Sequence, residues 1–122
     1  MRPEVMQGLL SRLDGLFNHR HAESFSEAGG KAFAVIQYQA EGLSEVLRHL
    51  IEGNQVSANE AMQAWVDGQD LPLFKPWAVG LVNDLEKNFR HHWSGRVTRG
   101  DRDRCRQWFA DARKLIDDVA RV

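Results

Sequence analysis

From Cys105 to the end of the chain, apolar residues recur every three or four positions: Cys105, Trp108, Ala112, Leu115, Val119 and Val122, widened by Phe109 and Ile116. An α-helix turns once in about 3.6 residues, so this spacing gathers the side chains on one stripe that another element must cover. A strand would alternate at every second residue, and no stretch of useful length does so.

The same spacing recurs upstream. In PEVMQGLLSRLDGLFNHR, the residues Met6, Leu9, Leu10, Leu13, Leu16 and Phe17 share a stripe, and Pro3 suits a first helical turn, where its missing N–H costs nothing. Gly8 and Gly15 each weaken this helix by about 1 kcal/mol, so it depends on packing. Ser24 and Glu27 have capping-box spacing ahead of the Gly29–Gly30 pair. KAFAVIQYQAEGLSEVLRHLIEGN predicts the longest helix, with Phe33, Ile36, Ala40, Leu43, Leu47 and Leu50 inward and Gly53–Asn54 as its end.

A second capping box, Ser57 with Glu60, predicts a short helix through ANEAMQAWVDG, with Met62, Trp65 and Val66 inward and Gly68 as the stop. QDLPLFKP reads as an irregular link. Pro76 is expected to open PWAVGLVNDLEKNFRHHW, with Trp77, Leu81, Leu85 and Phe89 on one stripe and Ser94–Gly95 closing it. Thr98 and Asp101 offer a third box for the last helix. The expected fold is all-α: a single helical domain over residues 1–122, built as a bundle of four to five amphipathic helices.

Composition agrees. A chain of 122 residues with 43% hydrophobic residues can bury a core without disulfides or metals. A lone cysteine, Cys105, forms no internal disulfide, and its place on the last apolar stripe predicts a buried structural thiol. No N-terminal stretch pairs a basic region with an uninterrupted apolar run, and no segment approaches the roughly 20 apolar residues of a membrane span. A cytoplasmic protein without membrane contact is expected. The excess of arginine (12) over lysine (4) is a compositional association with GC-rich bacterial genomes.

Near-neutral net charge conceals an asymmetry. Residues 87–108, KNFRHHWSGRVTRGDRDRCRQW, carry Lys87, Arg90, Arg96, Arg99, Arg102, Arg104 and Arg106 against Asp101 and Asp103, a formal +5. The rest of the chain is formally −6, since the whole is −1. Arginine grips phosphate or carboxylate through two parallel hydrogen bonds, and Trp93 between His92 and Ser94 can stack or anchor an interface. Arg90, His91, His92, Trp93, Arg96, Arg99, Arg102, Arg104 and Arg106 are therefore the candidate interface or anion-binding residues. The bland reading of the same run is a solvated helix junction in which Asp101 and Asp103 pair with neighbouring arginines.

Chemistry has little support. His19 and His21 form H-x-H and His91–His92 adjoin, but neighbours on a helix diverge by about 100°, and the familiar zinc spacings are absent. No nucleophile elbow, phosphate loop or dinucleotide fingerprint occurs. No catalytic residue, metal or cofactor is assigned. The expectation is a small non-catalytic helical interaction module that binds a protein partner or itself. The alternative is a nucleic-acid-binding accessory protein using segment 87–108.

Overall fold

The computed structural model describes residues 1–17, 33–66, 70–91 and 99–122, with the backbone alone at 33–38, 91 and 101. Five helices and no strand occur among them: α1 (Pro3–Leu16), α2 (Phe33–Ile51), α3 (Gln55–Gln63), α4 (Phe74–His91) and α5 (Arg99–Ala120). The all-α architecture is the one the spacing predicts. The expected boxes or ends at Ser24–Glu27, Gly68, Ser94–Gly95 and Thr98 lie outside the described residues.

Each boundary has a local cause. Pro3 stands at the start of α1, where its ring presets the helical φ. α2 ends where Gly53 takes φ 80, a left-handed conformation that suits glycine. There Gly53 N–H donates to Leu50 O at 3.1 Å and Asn54 N–H donates to His49 O at 2.8 Å, the paired bonds of a Schellman end. Asn54 then caps α3, its side chain accepting from Ser57 N–H at 3.1 Å. The helix thus starts earlier than the Ser57 box implies, and it stops at Gln63, leaving Trp65 and Val66 beyond its end. α4 begins at Phe74 and not at Pro76, which lies in the first turn, where no N–H is needed.

The last helix organises the core. Cys105, Trp108, Phe109, Ala112, Leu115, Ile116 and Val119 are buried in one cluster with Leu9 and Leu13 of α1, Leu43, Leu47 and Ile51 of α2, and Ala78, Val82, Leu85 and Phe89 of α4. α4 and α5 run antiparallel, as Lys75 meets Asp117 at one end and the Phe89 and Phe109 rings stand 5.9 Å apart towards the other. α1 is also antiparallel to α5, joined by Arg12 to Asp118 and by Leu16 to Trp108. Val46 of α2 packs with Ala58 and Met62 of α3 in a smaller cluster. Of the tryptophans expected inside, Trp108 is buried; Trp65 and Trp77 are half-buried. No described helix is long and apolar enough to cross a membrane.

Glycines separate two kinds of position. A Cβ on Gly42 would stand 2.3 Å from the Trp65 ring, so α2 and the Trp65 side chain meet only because no side chain intervenes. A Cβ on Gly8 would meet nothing within 4 Å. Gly42→Ala is expected to cost about 1–3 kcal/mol of unfolding free energy as the indole is displaced. Gly8→Ala is expected to gain up to about 1 kcal/mol. Urea denaturation of both variants checks the contrast.

Candidate functional site

The described core contains no buried polar or charged residue, so charge chemistry is confined to its rim. Ion pairs between helices are short: Arg12–Asp118 at 2.7 Å, Arg48–Asp14 at 2.6 Å, Lys75–Asp117 at 2.5 Å and Arg113–Glu86 at 2.9 Å. The Arg48–Asp14 and Lys75–Asp117 pairs are exposed, and exposed pairs contribute at most about 1 kcal/mol each, so they favour a register more than they supply stability.

Two of these pairs lie along the seam between α4 and α5. Lys75 and Asp117 close one end, and in the middle Arg113 donates to Glu86 Oε1 and, at 3.0 Å, to Asn83 Oδ1. At about 100° per residue, Arg99, Arg102 and Arg106 fall on the same flank of α5 as Arg113 and Asp117. Arg90 falls on the α4 flank that carries Lys75 and Glu86. The seam therefore changes character along its length: complementary pairs at one end, four arginines at the other. Two pairs there are longer and within one helix, Arg90–Glu86 at 3.8 Å and Arg106–Asp103 at 3.4 Å, and Arg102 and Arg106 take part in further interactions.

This sorts the sequence candidates. Arg90, Arg99, Arg102 and Arg106 share the seam. Arg104 lies on the opposite flank of α5, the side of Asp111 and Asp118 that faces α1. His91 is the last residue of α4, and only its backbone is described. His92, Trp93 and Arg96 lie outside the described residues. The Arg106–Asp103 contact shows part of the local pairing that the bland reading expects; the Asp101 side chain is not described. The seam partners Arg113, Glu86, Lys75 and Asp117 were not singled out from sequence. Their signal was their place beside each apolar stripe, but which charge meets which depends on the interhelical register.

Other candidates are less provided for. Among the described residues no group of three or more His, Cys, Asp or Glu is placed to hold a metal ion; His19, His21 and His92 lie outside them. Burial pushes the Cys105 thiol from 9.0 up to about 11, outweighing the opposite pull of Arg104. An open cleft of ≈ 560 Å³ lies where α1, α3 and α4 begin and α2 and α5 end, lined by Met1, Met6, Ile51, Phe74, Val119 and Val122 among others. Two of its polar rim residues are engaged within the chain, Lys75 with Asp117 and Gln55 with Asn59, and Glu52 lines it as well. No family model, curated protein or solved structure matches the chain.

Two predictions follow from these charges and this thiol. Asp117 is held below its ordinary 3.8 first by the hydrogen bond from Lys75, and Asp118 first by that from Arg12. Lowered folded values mean that the stability these carboxylates contribute is present above pH 3.8 and is lost as pH falls through the folded values. Asp117→Asn with Asp118→Asn should therefore narrow the gap between urea midpoints measured near neutral pH and at about pH 2, well under the usual Asp value of about 3.9. For Cys105 the sign is opposite. Its contribution is complete below 9.0 and declines as pH rises through about 11. A thiol reagent at about pH 8, just under the free-cysteine value of about 8.5, should modify native protein only as fast as the chain opens; rapid modification would contradict a buried thiol.

Proposed function

We propose that this chain is a non-catalytic helical interaction module that binds a protein partner or a second copy of itself through the arginine end of the α4–α5 seam. One observation carries the reading. Arg90, Arg99, Arg102 and Arg106 gather on one flank, in line with charge pairs that are tight elsewhere along the same seam. Arg99, Arg106 and Arg90 are exposed, so the guanidinium groups can meet carboxylates without opening the core. Arginine is also among the residue types that dominate binding hot spots.

The same flank supports a second reading, a nucleic-acid-binding accessory protein, because a guanidinium fork matches phosphate as well as carboxylate. Salt separates specific expectations. Wild-type protein should be retained on immobilised heparin at low salt, and Arg99→Glu with Arg106→Glu should elute clearly earlier, with an unchanged circular dichroism spectrum. Flow-through of the wild type at low salt would overturn the anion-binding flank. A mobility shift with single- and double-stranded DNA and RNA at about 50 and 200 mM salt decides the ligand class, since phosphate contacts lose several decades of affinity across that range. A shift present only at the lower salt supports nucleic acid. No shift with micromolar protein that heparin retains supports a protein partner.

A further inference from the structure

The cleft at the end of the bundle has a floor that belongs to the core and a rim that carries exposed apolar surface. Ile51 and Val119 in its lining are 1% and 6% exposed members of the main cluster, and Met6, Leu50 and Phe74 pack half-buried against that cluster. The large exposed hydrophobic residues among those described are Met1, Val5, Val56, Leu71, Leu73 and Val122. All six line the cleft or stand within three residues of a lining residue in the chain. Apolar surface gathered in this way around a concavity marks a binding site more often than surface scattered singly. The cleft volume of ≈ 560 Å³ also falls within the roughly 300–1,000 Å³ of small-molecule sites.

Charge selects the head group of such a ligand. Two charged residues line the cleft, Lys75 and Glu52. Lys75 is held by Asp117 at 2.5 Å. Glu52 is exposed directly after α2, and its carboxylate meets no cation or hydrogen-bond donor among the described residues. Three helices start at this end and two finish there, so their partial charges of about +0.5 and −0.5 largely cancel. Pro3 and Pro76 take N–H groups out of the first turns of α1 and α4, and the Asn54 side chain occupies Ser57 N–H at the start of α3, which reduces the pull of these starts on an anion. Among the lining side chains, the Glu52 carboxylate is left as the charge without a counterpart.

We infer that the cleft binds a small organic cation, with an apolar body seated against Ile51, Phe74 and Val119 and an ammonium group at Glu52. Met1 and Met6 give walls that adapt to the shape of the body. The body supplies most of the affinity and Glu52 selects the head, because an exposed ion pair contributes little. The site lies at the Lys75–Asp117 end of the α4–α5 seam, away from its arginines, and is independent of the reading of that flank.

Phenylbutylamine, phenylbutanol and phenylbutyrate test the inference, since they share one apolar body and differ in the head. Near neutral pH the amine is protonated, as is a lysine side chain with a pKa of about 10.4, and the acid is ionised. Each is titrated into the isotope-labelled full chain and followed by amide NMR. The amine should shift the amides of Ile51, Glu52, Lys75 and Val119 saturably, bind about two- to five-fold more tightly than the alcohol, as one exposed ion pair allows, and more tightly still than the acid. Glu52→Gln should remove the advantage of the amine over the alcohol and leave the alcohol unchanged. Glu60→Gln, exposed and outside the lining, should change neither. Ala120→Phe, at an exposed lining position, should weaken all three by filling the space, with an unchanged circular dichroism spectrum. Absence of saturable shifts at millimolar amine, shifts confined to residues away from the lining, equal affinity for amine and acid, or an advantage of the amine that survives Glu52→Gln overturns the inference.

Discussion

Burial of the Trp108 side chain is the constraint around which α1, α4 and α5 are arranged. Its indole is buried at 2% exposure, so its N–H must find an acceptor inside the protein. It finds Leu16 O at 2.6 Å, one of the carbonyls that the end of α1 leaves without a helical partner. The ring meets Phe17 edge-on at 5.4 Å and Phe109 edge-on at 5.3 Å, and Phe109 in turn packs on Phe89 of α4. One side chain thus satisfies a helix end, closes the aromatic layer and fixes where α1 stops against α5. Because α1 is short and carries Gly8 and Gly15, little in its own propensity would hold it there.

The last helix was legible because its signal is redundant. Seven buried positions repeat the same period, and charged residues fill the positions between them. The start of α3 was less legible for a specific reason. Ser57 and Asn54 are both good caps, and the choice falls to Asn54 because Gly53 ends α2 in a left-handed turn and delivers the very next residue to the new helix. Trp65 was placed on a helical stripe by local spacing, whereas its environment is set by Gly42, far away in sequence. Short-range pattern does not carry such a contact.

Much the same division applies to the charged surface. The arginine run is plain in the sequence as a line of letters, and helical phase alone is enough to move Arg104 away from Arg99, Arg102 and Arg106. What phase cannot supply is the register between α4 and α5. That register makes Arg113 the partner of Glu86 and brings Arg90 into line with the arginines that follow. A formal net charge of −1 conceals all of this, since opposite stripes on different helices cancel in a sum but remain separate in space.

The three-residue junction between α2 and α3 has a consequence for insertion and deletion. Gly53 closes one helix and Asn54 opens the next, with no spacer between the two duties. Most surface loops absorb an extra residue as slack. Here an extra residue would have nowhere to go except into the helical phase of α3. It would turn that helix by about 100° about its axis. Ala58 and Met62 would swing off Val46, and Trp65 would lose its seat on Gly42. The corner therefore behaves as a gear tooth, and its length is tied to the core it aligns.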